Sequence, residues 1–235
     1  MKSNFLIIVF YIGFLVFAKA QTITSKLENH QPGFPEMDLV LLSFGADYPI
    51  KIGVLQKDGT LKIDLSDVDL KSIPQDHFEM FLSDNLNENL TLKCNLSTDL
   101  QQSKNLKAQR GGNIGLWYKN RWAGTLYAVS TEEIMPWLED EAYMEPVLSS
   151  FFEIIYVTEP LEINTTCTNS WQLTDKKIEA AHTYQFSLQK GFNLLEYQIQ
   201  EIYKTNPNET SSKPSKVTIA NINGSSKIKW YVKYF

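Results

Sequence analysis

Arginine is almost missing from this chain: of 235 residues only Arg110 and Arg121 carry a guanidinium, and the formal charge is -5. Phosphate neutralisation supplies most of the affinity of nucleic-acid binders, and arginine is the side chain best shaped for it. An acidic chain with two arginines is therefore not a nucleic-acid protein. Histidine is also scarce. His30, His77 and His182 lie in three separate segments, so a catalytic triad or a metal site has to be assembled from distant pieces. Cys94 and Cys167 are the only cysteines, too few and too far apart for the four clustered ligands of a structural zinc site. There is no G-x-S-x-G, no H-E-x-x-H, no C-x-x-C and no glycine loop that would cradle phosphate. No fixed-period repeat, low-complexity tract or cofactor motif is present. No cofactor and no metal are expected.

What is present begins with a leader. Lys2 supplies a positive start, Phe5 to Phe17 an apolar stretch, and Ala18-Lys19-Ala20 a small-residue cleavage signature, so residues 1–20 read as a signal peptide. Thirteen apolar residues are too short to cross a bilayer, which takes about twenty, and no later run approaches that length. The expected location is secreted or periplasmic, with no transmembrane segment after signal cleavage. Without Lys2 and Lys19 the remaining chain carries 20 basic against 27 acidic side chains, a net -7. Export permits a Cys94–Cys167 bridge; the alternative is two separate buried thiols. In a eukaryotic secretory route Asn89, Asn95, Asn164, Asn208 and Asn223 are glycan acceptors by their N-x-[ST] context, whereas in a bacterium they stay idle.

Period-two alternation dominates the rest. Tyr184, Phe186 and Leu188 alternate with polar partners, as do Leu195, Tyr197 and Ile199 beyond Gly191, which predicts a hairpin over 182–204. Asp58-Gly59 turns between runs 50–56 and 61–65, and a second hairpin spans 114–129 with its turn at Lys119-Asn120. Residues 91–94 read as a strand. Ser72 and Gln75 have capping-box spacing before one helix over 74–85; Ser130 and Glu133 repeat that spacing, with Pro136 cutting the second helix short. The expected class is all-β, a mainly antiparallel β-sandwich with one or two short helices. Its expected division is a sandwich-like domain over 21–130, an acidic connector over 131–147 and a C-terminal antiparallel domain over 148–235.

The run Gly53-Val54-Leu55-Gln56-Lys57-Asp58-Gly59-Thr60-Leu61-Lys62-Ile63 resembles the strand–turn–strand of transthyretin-like or carboxypeptidase-regulatory-like β-sandwich modules. Together with Gly115-Leu116-Trp117-Tyr118-Lys119-Asn120 and Leu188-Gln189-Lys190-Gly191-Phe192-Asn193, the order of features is similar to that of uncharacterised secreted β-rich proteins of Bacteroidota. The resemblance implies exported β architecture and transfers no active-site residue.

Trp117 and Trp122 are the candidate ligand-binding residues, with Tyr118 beside them. A two-residue turn pairs position 117 with 122, so both indoles leave one face, and the same register sets Gly115 opposite Gly124, leaving flat room beside the rings. Two outcomes are open: an exposed aromatic platform for sugars or an apolar partner, or two tryptophans filling the core. Asp64, Asp67 and Asp69 are closely spaced oxygen donors that read as a solvated strand end rather than a calcium loop. Glu132, Glu133, Glu139, Asp140, Glu141 and Glu145 read as a charged connector, with a glycosidase pair as the alternative. The expected function is a non-enzymatic secreted or envelope-associated binding module for carbohydrate or a cell-surface protein. The alternatives are a secreted hydrolase of glycans or peptides working through those acids, and a structural or adhesion subunit.

Overall fold

A computed structural model describes residues 22–66, 68–94, 106–173, 176–204, 212–222 and 227–235. The leader, Asp67 and the sequons at Asn95, Asn208 and Asn223 lie outside the described residues. The chain is all-β, with thirteen strands and two short α-helices among the described residues. All strand pairings but one are antiparallel among the named strands, the exception lying near the C-terminus.

The first sheet is built from local hairpins. Strands β3 (Ile50–Leu55) and β4 (Thr60–Asp64) pair across the Asp58-Gly59 turn. Gly59 sits at φ 79°, and the Asp58 carboxylate accepts from the Thr60 N–H and hydroxyl. A glycine there avoids the steric penalty of positive φ. β1 (Thr22–Lys26) adds beyond β4, and β2 (Met37–Leu41) lies between β3 and β6 (Ile114–Tyr118). β6 turns into β7 (Arg121–Val129), which then takes β13 (Lys229–Tyr234) along its other edge. The sheet curls until its ends meet. Leu27 bridges to Trp230, and the Asn29 amide both donates to the Val232 carbonyl and accepts from its N–H.

The second sheet runs β5 (Ala108–Arg110), β8 (Ser150–Val157), β11 (Gly191–Lys204), β12 (Ser212–Asn221), β10 (Lys176–Leu188) and β9 (Leu161–Leu173). β7 joins it through the Val129–Phe151 pair, so these two sheets are halves of one continuous thirteen-stranded sheet among the described residues. Here the expected hairpin over 182–204 is corrected. β10 and β11 are consecutive in sequence but not neighbours, because β12 inserts between them, parallel to β10 and antiparallel to β11. The turn between them does form as a local unit, with Gly191 at φ 104° and the Asn193 amide bonded to Gln189 and Gly191. Alternation marks the buried face of a strand; it carries no information about which edge a third strand takes.

β8 is buried on both faces, which explains its nearly unbroken apolar run. Phe152, Ile154 and Tyr156, with Phe192 and Leu194, pack against the curled sheet around Leu39, Leu61, Ile63 and Trp230. On the opposite face Phe151, Ile155 and Val157 join Tyr184, Phe186, Leu195, Tyr197 and Ile219 in a second core. The Phe151 and Tyr197 rings stack there at 4.7 Å. Each core draws residues from both sides of 131–147. Strand β13 completes the first sheet, whereas Leu86, Leu90 and Cys94 cover the second. Ile134 and Trp137, inside the expected connector, are buried in that second core as well.

Three local expectations also change. Helix α1 (Gln75–Phe81) is shorter than 74–85 because Ser83 leaves it to exchange backbone bonds with Ala108. No capping box forms; Pro74 is the N-cap, and Gln75 donates to Glu79 instead. Helix α2 (Met135–Glu139) holds Pro136 in its first turn rather than ending there, since proline suits a first turn whose N–H has no helical partner. Residues 91–94 are not a strand. The Leu92 carbonyl accepts from the Tyr184 hydroxyl, and the Lys93 carbonyl from Asn169 and His182, so side chains replace the missing ladder. Cys94 and Cys167 are disulfide-bonded, with Cα atoms 6.3 Å apart. That bond indicates an oxidising, non-cytosolic compartment. Among the described residues no helix is long and apolar enough to cross a membrane.

Candidate functional site

The tip of the β6–β7 hairpin turns at Lys119 and Asn120, with φ 50° and 60°. Two successive positive φ values give a turn whose twist matches the strands. It pairs Trp117 with Trp122 as the turn length requires. The register beyond that pair differs from the expected one. A bulge at Ala123 sets Leu116 opposite Gly124 and Gly115 opposite Thr125, so the two glycines do not face each other. Nor is the space over Gly115 open: a Cβ there would lie 3.0 Å from the Trp117 Nε1 and 3.5 Å from that of Trp122. The indoles themselves fill it. Gly124 has a different reason, since a Cβ would come within 2.6 Å of the Lys233 carbonyl on β13.

The two tryptophans have different surroundings. Trp117 is partly buried, whereas Trp122 is 53% exposed. The Trp122 indole N–H donates to the Gly124 carbonyl at 2.6 Å, and Phe235 meets its ring edge to face at 5.2 Å. Phe235 is itself held by its N–H on the Ala123 carbonyl. An exposed ring is thus fixed on two sides without losing its contact with water. Tyr118 pairs with Arg121 and by alternation leaves the other face, where the Lys119 ammonium sits 5.0 Å from its ring. The structure therefore groups Trp122 with Phe235 and separates Tyr118. Phe235 carried no sequence signal, because the pairing of β13 on β7 is a long-range contact.

The acids of 132–145 disperse. Glu139 accepts from the Tyr127 hydroxyl and pairs with Lys233, which holds its carboxyl below the usual range despite some burial. Glu145 pairs with Lys204. Glu141 lines two cavities. Partial burial pushes its pKa up, with Arg110 and Lys213 opposing and Glu153 adding to the rise. Asp64 and Asp69 each accept from a backbone N–H two residues on, as turn residues do.

The histidines are equally scattered. His30 packs over Gly59, and His77 bonds the Phe44 carbonyl between Tyr48 and Phe81. His182 is buried, and its Nδ1 donates to the Lys93 carbonyl at 3.1 Å. Burial lowers its pKa, partly offset by that bond. A histidine with a depressed folded pKa stabilises the fold above the unfolded pKa of about 6.5, and that stability is lost as pH falls. Urea midpoints should therefore decline from pH 7 towards 5, and His182→Phe should flatten that decline. An unchanged slope in the variant would assign the effect to other groups.

No protein-family model, curated protein or solved structure matches this chain.

Proposed function

We propose that this chain is an exported, non-catalytic binding module that presents the Trp122–Phe235 corner to the apolar face of a carbohydrate. The observation that carries the reading is Trp122 itself, a large ring left 53% exposed yet held by a hydrogen bond and an edge contact. A ring already fixed loses little conformational freedom on binding, so its contact area converts efficiently into affinity. The signal-like leader and the disulfide support work outside the cytoplasm. Separation of Glu139, Glu141 and Glu145 onto different partners weighs against a hydrolase built from that stretch. A structural or adhesion role would announce itself as a defined oligomer in solution.

The test is a glycan array and a pull-down with the mature chain and its Trp122→Ala variant. The variant should lose about tenfold or more in affinity, the usual effect of removing a dominant aromatic contact. Its thermal midpoint should move little, because about half of the side chain is already exposed and its contacts lie at the hairpin tip. Two blank assays, or binding indifferent to Trp122, would end the proposal.

A further inference from the structure

A cavity of about 410 Å³ opens in the second sheet, between the 91–93 segment, α2, β9, β10 and the start of β12. Eight polar residues are buried in the described chain, and Asn169, His182 and Ser212 among them all line this one cavity. Two are already engaged: the Asn169 amide and the His182 Nδ1 both donate to the Lys93 carbonyl. That bond fixes the imidazole tautomer, leaving the Nε2 lone pair to accept. Ser212 differs. It is 5% exposed and its hydroxyl has no hydrogen-bond partner, a state that is costly unless something fills it. Leu92, Trp137 and Pro214 supply apolar wall, while exposed Lys93 and Lys213 stand at the rim with Glu141 as the acid among the lining residues.

We propose that this cavity is a ligand site separate from the Trp122 corner, and that it takes a small polyhydroxylated carboxylate, an acidic sugar unit. Hydroxyls of such a ligand meet Ser212 Oγ and His182 Nε2 in the interior. Its carboxylate lies towards the ammonium groups of Lys93 and Lys213 at the rim. A neutral sugar matches the interior but not the rim; an amine matches neither lysine.

Titration of the mature chain with glucuronate and with glucose, followed by calorimetry or ligand-observed NMR, tests this. Glucuronate should bind more tightly than glucose, and added salt should narrow the gap, because exposed charges are screened within roughly 8–10 Å at 0.1–0.15 M ionic strength. Ser212→Ala should weaken glucuronate by about fivefold, the value of one hydrogen bond. Lys213→Glu, an exposed change that leaves the core untouched, should weaken it at least as much. Trp122→Ala should leave it unaltered, which keeps this result apart from the fate of the aromatic corner. No glucuronate binding, equal binding of both sugars, indifference to Lys213→Glu, or loss with Trp122→Ala would each overturn the proposal.

Discussion

A chain with Cys94 and Cys167 both replaced by alanine should unfold about 4 kcal/mol more readily than the native protein. The bridge spans 73 positions, and closing so long a loop removes much of the entropy of the unfolded chain. For a domain of this size that is a fall of roughly 8–16 °C in thermal midpoint. The structure adds where the change is felt. Cys94 is buried and bracketed by the Asn87 side chain, which both donates to its carbonyl and accepts from its N–H. It ends the segment whose Leu92 and Lys93 carbonyls satisfy Tyr184, Asn169 and His182. Hydrogen exchange over 86–94 should rise in the double variant before the strands of the second sheet respond. A loss below about 1 kcal/mol would mean that the segment is held by its hydrogen bonds alone, each worth about that much net.

Trp230→Ala should cost about 3–5 kcal/mol, the range for emptying a large buried aromatic site. Trp230 heads the fully buried side chains and lies at the seam where the curled sheet closes. Its backbone carbonyl accepts from Glu28 there, so the strand survives the substitution while the filling of the seam does not. Trp230→Phe makes the argument specific. The buried indole N–H has no partner, so phenylalanine removes an unsatisfied donor and keeps most of the ring. The phenylalanine variant should retain most of the stability that alanine loses. Equal losses in chemical denaturation would show that the indole edge, not apolar volume, holds the seam.

Local chemistry explains which parts of the fold could be read in advance. The turns at Asp58-Gly59 and Lys119-Asn120 depend on residues that tolerate positive φ, and both formed between the strands expected beside them. The Trp117–Trp122 pair followed from turn length alone. One residue further the Ala123 bulge broke the register, and the glycines expected to leave space proved to have other causes. The hairpin around Gly191 looked equally local, yet its strands part to admit β12. Phe235 meets Trp122, and Ser212 and His182 line one cavity, only through strand order, which no window of sequence contains.

Side-chain alternation and turn residues alone determined that this is a mainly antiparallel β protein, and the two cysteines limited it to one internal bridge. The curled closure at Leu27 and Trp230, the two cores on opposite faces of β8, and both candidate sites were decided only in three dimensions. The reason is that strand periodicity comes from each residue's own backbone geometry. Which strands become neighbours depends instead on how much apolar surface the whole chain can bury at once.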